Sequence, residues 1–243
     1  MTESTQALIV DDSRLARKEL RHLLQEHPHI TVAGEAESGQ QAIDWLAQNH
    51  ADVLFLDIQM PGMDGFELLQ QLDHIPQVIF VTAYDQYAIQ AFEHNALDYL
   101  QKPIEPQALQ RAIARIQPQP AATSSTTNHG DRLLTQGDQV FVKDGEQCWF
   151  VDVADIRLFA VDGNYTTVHF AEHQPMIPKT LNHLASRLDP GLFFRANRNE
   201  LINLKHIQSV EPWVQGIRIH LSGGEKIEVS RRQTQKFKEM MSL

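Results

Sequence analysis

Short apolar runs alternate with amphipathic segments along the first half of the chain. The runs are apolar at consecutive positions, which is typical of strands buried on both faces of a parallel sheet. They cover residues 7–10, 30–33, 53–56, 78–81 and 96–100. Between them, apolar residues recur with i, i+3, i+4, i+7 spacing, which predicts helices. Five β–α units in succession predict a doubly wound α/β fold, with a five-stranded parallel sheet covered by helices on both faces.

The hydrophobic period changes to two in the second half of the chain. Alternating apolar residues flank three glycine-containing turns, which is the pattern of β-hairpins. The turns lie at Asp144-Gly145, Asp162-Gly163 and Gly223-Gly224. A further strand is predicted at 201–204, and residues 180–188 and 231–241 have helical spacing. This half is therefore expected to be a mainly β domain.

Residues 117–131 separate the two patterns. Their sequence, QPQPAATSSTTNHGD, begins with prolines, continues with small polar residues and has no apolar period, as expected for a linker. A flexible chain of this length spans about 20 Å on average, so it would tether two domains without fixing them. We therefore predict a first domain at 1–117, a flexible linker at 118–131 and a second domain at 132–243.

The composition indicates an ordinary soluble protein. Apolar residues make up 42% of the chain and charged residues 21%, and the apolar runs are far shorter than the ~20 residues that span a bilayer. The N-terminal sequence MTESTQALIVDD lacks the basic and apolar regions of a signal peptide. A single cysteine, Cys148, excludes an intrachain disulfide framework and fits a reducing compartment. We expect a cytoplasmic protein without a membrane partner.

The charge is unevenly distributed, which bears on nucleic-acid binding. The formal net charge of −10 comes from residues 1–117, which hold 17 acidic and 7 basic side chains. Residues 118–243 hold 14 of each, and residues 195–238 hold 9 basic and 4 acidic side chains. The first half would repel DNA, whereas the end of the chain could attract it.

Five polar residues lie at the carboxyl ends of the predicted parallel strands. Asp11 and Asp12 follow the first strand and Asp57 follows the third. Thr82 ends the fourth strand, and Lys102 follows the fifth. Open α/β sheets bind their ligands at this edge. Three converging carboxylates repel one another unless a cation is bound, and their oxygens favour Mg²⁺. A carboxylate nucleophile, a metal and a lysine are the components of phosphoryl transfer through an acyl phosphate.

Each of these residues also has an ordinary explanation when it is taken alone. Asp12 or Ser13 could cap the first helix, Thr82 could satisfy a turn, and Lys102 could be a solvated loop residue. It is their combination at one edge of a sheet that favours a phosphoryl-transfer pocket.

Four segments of this half resemble the signature segments of receiver domains of two-component signalling. They are LIVDD, FLDIQMPGMDG, VIFVTAY and ALDYLQKP, they occur in the family's order, and the resemblance covers residues 5–117. It implies a flavodoxin-like fold and Mg²⁺ as the cofactor. It also implies the following roles: Asp57 as phosphoacceptor; Asp12, Asp57 and the backbone carbonyl of Gln59 as Mg²⁺ ligands, with Asp11 assisting through water; Lys102 and Thr82 as phosphoryl contacts; Tyr99 as the aromatic switch.

Arginine, lysine and asparagine side chains cluster in the second half, in the segments FFRANRNELINLKHI and VSRRQTQKF. The clustered residues are Arg195, Asn197, Arg198, Asn199, Arg231, Arg232, Lys236 and Lys238. Arg and Asn read guanine and adenine edges through paired hydrogen bonds, while Lys and Arg also neutralise phosphates. A solvated basic face is the alternative explanation for such a cluster.

The same segments resemble LytTR domains, which are mostly β DNA-binding modules whose loops enter the major groove. The matching patterns are FxRxxRxxLINLxxI and GxxIxVSRR, with DGNYTTV upstream, and the resemblance covers residues 132–243. Where this chain has Asn197 and Asn199 the family often has His and Ser, so the preferred bases are expected to differ while hydrogen bonding is retained. The DNA-binding positions that the resemblance implies are Asn164, Tyr165, Asn197, Arg198, Asn199, Arg231 and Arg232. In addition, we expect Lys236 to contact phosphate.

The two resemblances together predict a response regulator transcription factor, not an enzyme. A sensor histidine kinase would phosphorylate Asp57, and phosphorylation would modulate sequence-specific binding of the second domain to double-stranded promoter DNA. A homodimer is expected when the protein is phosphorylated or bound to DNA.

Two other functions use a similar sheet. An aspartyl-phosphate phosphatase usually needs a second carboxylate two residues after its nucleophile, where this chain has Gln59. A flavin-binding electron carrier requires a Ser/Thr/Gly-rich phosphate loop after the first strand, where this chain has DDSRLA. A histidine metal site is disfavoured as well, because the histidines of the second half are irregularly spaced and a second cysteine is lacking.

Overall fold

The computed structural model describes residues 4–83, 97–116, 132–145, 147–163, 165–214 and 216–241. The chain divides into two compact units, Met1–Arg132 with Gln147–Phe150, and Leu133–Glu146 with Val151–Leu243. The predicted linker at 118–131 lies outside the described residues, as does Asn164. In the described part of the chain, no helix has the length and apolar character needed to cross a bilayer.

The first unit contains one five-stranded parallel sheet, which confirms the predicted α/β fold. Its elements are β1 (Thr5–Val10), α1 (Arg14–Leu24), β2 (Ile30–Ala36), α2 (Gly39–Leu46), β3 (Val53–Leu56), α3 (Gly65–Gln71), β4 (Gln77–Thr82), β5 (Asp98–Gln101) and α4 (Pro106–Ala114). The strand order is β2-β1-β3-β4-β5, so the direction of winding reverses between β1 and β3. Val10 pairs with Leu56, and Thr82 pairs with Gln101. This register brings the carboxyl ends of β1, β3, β4 and β5 to one edge of the sheet.

Apolar side chains on both faces of the sheet pack against the surrounding helices. Ile79 packs in one buried cluster with Leu20 of α1 and Leu109 of α4. Phe80, the next residue, points to the opposite face, where its ring centroid lies 5.3 Å from that of Phe66 in α3. Because both faces of the sheet exclude water at its centre, β1, β3 and β4 are apolar at consecutive positions.

The second half of the chain is mainly β, as predicted. Its elements are β6 (Gln139–Asp144), β7 (Gln147–Asp152), β8 (Leu158–Asp162), β9 (Tyr165–His169), β10 (Met176–Ile177), α5 (Leu181–Arg187), β11 (Phe193–Arg195), β12 (Glu200–Asn203), β13 (Ile207–Trp213), β14 (Gly216–Leu221), β15 (Lys226–Val229) and α6 (Arg231–Met240), with single 3-10 turns at Val153–Asp155 and Leu204–His206. An antiparallel sheet has the order β10-β9-β8-β12-β11, a second has the order β13-β14-β15, and β6 pairs with β7.

The three predicted hairpins are confirmed. Gly145, Gly163 and Gly224 have φ angles of 60°, 60° and 87°, which glycine adopts without the steric cost of a side chain. The sequence pattern did not predict β13, because every residue of this strand after Ile207 is exposed and the apolar positions therefore do not alternate. Its Pro212 also lowers the strand signal.

Helix α6 is anchored by one aromatic side chain. Phe237 is almost completely buried, and its ring centroid lies 5.4 Å from that of Phe194 in β11. Both rings belong to a core cluster with Ile202 of β12 and Ile219 of β14. Since only Arg195 separates Phe194 from the loop between β11 and β12, this core supports both the loop and the helix.

Candidate functional site

The carboxyl edge of the parallel sheet brings Asp11, Asp57 and Lys102 into direct contact. Lys102 Nζ lies 2.6 Å from Asp11 Oδ2 and 2.6 Å from Asp57 Oδ2. The sheet fixes the backbone of all three residues just beyond the strand ends. The Asp57 N–H donates to Val10 O at 2.8 Å, and the Lys102 N–H donates to Thr82 O at 2.8 Å. Strand register therefore creates this ion-paired pocket from residues that are far apart in the sequence.

The pocket contains more negative than positive charge. Burial raises the pKa of Asp11, against the hydrogen bonds that this carboxylate accepts from Lys102 and from the Ser13 N–H. Burial by itself would lower the pKa of Lys102, but hydrogen bonds and charges from Asp11 and Asp57 outweigh it, so the pKa of Lys102 is raised. One lysine is thus shared by two carboxylates, and a cation would relieve the remaining repulsion.

The oxygen donors of the pocket fit a hard divalent cation. One oxygen from each of Asp11, Asp12 and Asp57 lies within 4.8 Å of the others, and Asp12 is exposed. An ion held there would stay partly hydrated, as Mg²⁺ prefers. The Gln59 N–H donates to Asp57 Oδ1 at 3.2 Å, so the backbone of Gln59 adjoins the same carboxylates. Across the ranges that the structure describes, these three aspartates are the only such group of His, Cys, Asp or Glu side chains.

Thr82 and Tyr99 share one face of the sheet next to the pocket. Thr82 is fully buried, and among the described residues its Oγ1 has no hydrogen-bond partner. Tyr99 is half-buried and pairs in register with Phe80, which lies two residues before Thr82 and on the same face. A buried hydroxyl without a partner costs about 1–3 kcal/mol, so Thr82 Oγ1 is available to a ligand at the strand end.

Ser13 has the capping role that was the ordinary explanation for this position. Its side chain accepts a hydrogen bond from the Ala16 N–H at 3.4 Å, at the start of α1.

Gly65 lies close to the backbone of the pocket at the start of α3. A Cβ atom on Gly65 would lie 2.6 Å from Asp57 O, so only glycine allows α3 to begin this close to β3.

Arg17 also contacts the pocket, although it lies within α1 and not at a strand end. This arginine of α1 is buried, and its Nη1 donates to Asp11 O at 2.7 Å while its Nε donates to Glu35 Oε2 at 3.2 Å. A sequence signal existed, since Arg17 occupies the same helical face as Leu20 and Leu24, which are core residues. A charged residue at such a position needs buried partners.

The two basic clusters of the second unit lie side by side. Residues 196–199, which we call the recognition loop, connect β11 to β12, and α6 begins with Arg231 and Arg232. The Ser230 N–H donates to Ala196 O at 3.2 Å, and Asn197 Nδ2 donates to Glu228 O at 2.9 Å. The recognition loop therefore adjoins the start of α6, although more than 30 residues separate them in the sequence.

The side chains on this surface differ in their exposure. Arg198, Asn199, Arg231 and Arg232 are exposed, and Lys236 is exposed one turn after Arg232 on the same side of α6. Asn197 and Arg195, in contrast, are half-buried and donate hydrogen bonds within the protein. The exposed residues are therefore the ones free to meet another molecule.

The tip of the β8–β9 hairpin lies beside the same loop. The Val161 N–H donates to Asn199 O at 2.8 Å, and Tyr165, at the start of β9, is 52% exposed. The structure thus brings Tyr165, the recognition loop and the start of α6 to one edge of the second unit.

Comparison with known proteins matches both halves of the chain to described families. The response regulator receiver domain family matches residues 7–114, and the LytTr DNA-binding domain family matches residues 146–242. The sensory transduction protein LytT of Enterococcus faecalis is 32% identical over 242 residues, which cover 97% of this chain and 98% of that protein. The transcriptional regulatory protein LytR of Staphylococcus aureus is 32% identical over 243 residues, covering 98% and 99% of the two chains. The crystal structure of the response regulatory domain of mrkE from Klebsiella pneumoniae is 32% identical, covers 46% of this chain and 94% of that chain, and has a TM-score of 0.43.

Proposed function

Since the chain belongs to the family of response regulators that join a receiver domain to a LytTR DNA-binding domain, we propose that phosphorylation of Asp57 modulates its binding to promoter DNA. This family consists of transcription regulators and is not an enzyme family. A sensor histidine kinase is the proposed phosphoryl donor, and double-stranded DNA is the proposed target. The observation that carries the proposal is the contact of Lys102 with both Asp11 and Asp57, at the edge of the sheet where Thr82 Oγ1 has no hydrogen-bond partner among the described residues.

The arrangement of the pocket supports Asp57 as the phosphoacceptor. A carboxylate oxygen of Asp57 would form a bond to phosphorus while the bond from phosphorus to the kinase histidine breaks, and the electron pair of that bond stays on the imidazole nitrogen. Lys102 Nζ, 2.6 Å from Asp57 Oδ2, can donate to a phosphoryl oxygen attached there.

The proposed metal ligands are Asp12, Asp57 and the backbone carbonyl of Gln59, with Asp11 assisting through water. The bound Mg²⁺ would supply positive charge to the phosphoryl oxygens. Removal of the ion should therefore prevent phosphorylation as completely as loss of Asp57 does.

Thr82 and Tyr99 are proposed to transmit the phosphorylation signal. Once a phosphoryl group is attached to Asp57, its oxygens offer the partner that Thr82 Oγ1 lacks among the described residues. Movement of Thr82 would change the packing on the face that it shares with Tyr99 and shift an existing equilibrium at the surface of β5.

The proposed DNA surface is the edge formed by the β8–β9 hairpin, the recognition loop and the start of α6. Arg198 and Arg232 are the proposed base-reading side chains, and Lys236 is a proposed phosphate contact. The remaining proposed members of this surface are Asn164, Tyr165, Asn197, Asn199 and Arg231. We also propose a homodimer on DNA, with two half-sites spaced by about one helical turn or a multiple of it.

The experiment that tests this function follows phosphorylation and DNA binding in the same full-length protein. Acetyl phosphate and Mg²⁺ should add one phosphoryl mass to the wild type, whereas Asp57→Asn should gain none. Duplexes selected from a random pool should bind the phosphorylated wild type with a different affinity from the unphosphorylated protein, and Asp57→Asn should not respond. Stable modification of Asp57→Asn, or equal DNA affinity of both wild-type forms, would contradict the proposal.

A further inference from the structure

Asn197 and Arg195 have a function in the second unit that their residue types do not reveal. We infer that they are positioning residues, which hold the recognition loop against the start of α6 so that Arg198 and Arg232 face the same stretch of DNA. This inference rests on the proposed DNA binding. It assigns Asn197 a structural task, although asparagine is a residue type that reads adenine directly.

The amide group of Asn197 is already occupied by the protein. Its Nδ2 donates to Glu200 Oε2 at 2.5 Å and to Glu228 O at 2.9 Å, and its Oδ1 accepts from the Asn199 N–H at 2.8 Å. An amide nitrogen has two hydrogens, so both donors are used. Paired hydrogen bonds to an adenine need a free donor beside an acceptor on the same amide, and Asn197 would have to break one of its two donated bonds to supply that donor.

The guanidinium of Arg195 braces the backbone of the same loop. Its Nε donates to Asn197 O at 2.7 Å, and its Nη2 donates to Arg198 O. The remaining Nη1 approaches Asn182 Oδ1 at 3.4 Å, which ties the loop to α5. Two backbone carbonyls are thus held by the fork of a single planar group, a geometry that lysine cannot reproduce.

The recognition loop and the start of α6 are also connected by hydrogen bonds and packed on the same hydrophobic core. Two hydrogen bonds join the loop to the segment that leads into α6, from the Ser230 N–H to Ala196 O and from Asn197 Nδ2 to Glu228 O in β15. Below these bonds, Ala196 is fully buried in the core cluster that contains Phe194 and Phe237. Arg198 and Arg232 therefore stand on a surface whose parts are fixed to each other in the free protein. Such preorganisation lowers the entropic cost of ordering a contact surface when DNA binds.

The test separates positioning from base reading in the full-length protein. Each base pair of the selected site is changed in turn, and affinity is measured for the wild type, Asn197→Ala, Arg198→Ala, Arg232→Ala and the double variant Asn197→Ala/Arg198→Ala. Asn197→Ala should relax preference only at base pairs that the two arginine variants also relax, and the double variant Asn197→Ala/Arg198→Ala should lose less affinity than the sum of the two single losses. A base pair whose preference depends on Asn197 alone, with additive losses in the double variant, would overturn the inference.

A second measurement needs no DNA. Hydrogen exchange of the Asn199 amide should quicken in Asn197→Ala by about 2- to 10-fold, the factor that one hydrogen bond commonly contributes. Asn197→Asp keeps an oxygen that can accept from this N–H, so exchange should stay close to that of the wild type. Asn197→Asp should still lose sequence preference, because it lacks the donors to Glu200 and Glu228 and places a second carboxylate beside Glu200.

The two measurements distinguish an error in the proposed function from an error in the positioning role. If the wild type binds no DNA with sequence preference, the proposed function fails, and the exchange of the Asn199 amide still decides whether Asn197 organises the loop. If exchange in Asn197→Ala equals that of the wild type, the positioning role is wrong whatever the DNA result. Equal melting temperatures of the variants and the wild type would exclude global unfolding as the cause of either effect.

Discussion

The pocket of the first unit and the proposed DNA-binding edge of the second unit organise polar groups in opposite ways. In the pocket, the proposed reacting groups contact one another directly, since Lys102 bonds to both Asp11 and Asp57 and these two carboxylates are buried. At the edge, the half-buried polar groups Asn197 and Arg195 hydrogen-bond within the protein, and the proposed contact residues around them are exposed. Phosphoryl transfer needs reacting groups that are held in contact with one another. A DNA-binding surface needs exposed side chains whose backbone is held in place by other residues.

This difference predicts how each region responds to substitution. Groups that act together at one point should give nearly complete loss of a step when one is removed. Exposed contact residues should give graded losses that depend on the DNA sequence and on salt. The following experiments test this contrast, beginning with the largest expected effect.

Thr82→Ala should abolish most of the response to phosphorylation while leaving phosphorylation itself intact. The reason is that Thr82 Oγ1 is buried and, among the described residues, has no partner until a phosphoryl oxygen arrives. Removal of an unpartnered hydroxyl should not lower the melting temperature. Phosphoryl mass gain and DNA affinity with and without acetyl phosphate are the measurements, and Thr82→Ser is the matched control that should keep the response. A normal phosphate response in Thr82→Ala would place the switch elsewhere.

Arg198→Ala and Arg232→Ala should each weaken binding to the selected duplex by about 1–3 kcal/mol, which is roughly 5- to 150-fold. Their effect on a scrambled duplex should be much smaller, because a base-reading arginine discriminates only on its preferred sequence. Titrations against both duplexes at matched salt concentration measure this difference. Equal losses on the two duplexes would make these arginines phosphate contacts and direct the search for base reading to Asn164 and Tyr165.

The sequence predicted the pocket better than the edge for a physical reason. Asp57 and Lys102 lie directly after buried parallel strands, so strand order alone brings them together. The partners of Asn197 cannot be found in this way, because Glu228 lies 31 residues away and the contact depends on how β15 meets the loop. Arg17 was missed for a similar reason, since its partner Glu35 lies on another element.

The sequence pattern also predicts some elements of the fold better than others. The five parallel strands and the three hairpins follow from apolar period and turn glycines, and both were predicted. Strand β13 was not, because pairing with β14 holds it in place while almost all of its side chains face solvent. A strand of this kind is determined by its neighbour and has no hydrophobic pattern of its own.

Asp11→Asn should stabilise the first unit at neutral pH when Mg²⁺ is removed by a chelator. Burial raises the pKa of Asp11 in the folded protein. A group with a raised folded pKa favours folding at low pH and loses that contribution as the pH rises through the folded value. The ionised carboxylate therefore costs stability at neutral pH, whereas asparagine carries no charge and can still accept from the Ser13 N–H.

Thermal unfolding at several pH values, with and without Mg²⁺, measures this effect. The advantage of Asp11→Asn should shrink as the pH falls through the raised pKa of Asp11, because the wild-type carboxyl group then becomes protonated. Mg²⁺ should stabilise the wild type more than the variant, because the variant has one carboxylate fewer to neutralise. A variant that is less stable than the wild type at neutral pH in chelator would show that Lys102 already balances the charge of the pocket.

Lys236→Ala should have the smallest effect and the least dependence on DNA sequence. Lys236 is exposed on α6 one turn after Arg232, so it can reach the backbone of the DNA that Arg232 is proposed to read. Loss of one phosphate contact should weaken the selected and scrambled duplexes alike and reduce the slope of log affinity against log salt by about 0.9. Lys226 is the matched control, because it is exposed at the end of β15 that lies away from α6. Lys226→Ala should leave the slope unchanged, and an equal change in both variants would mean that the second unit attracts DNA through its general charge and not through this edge.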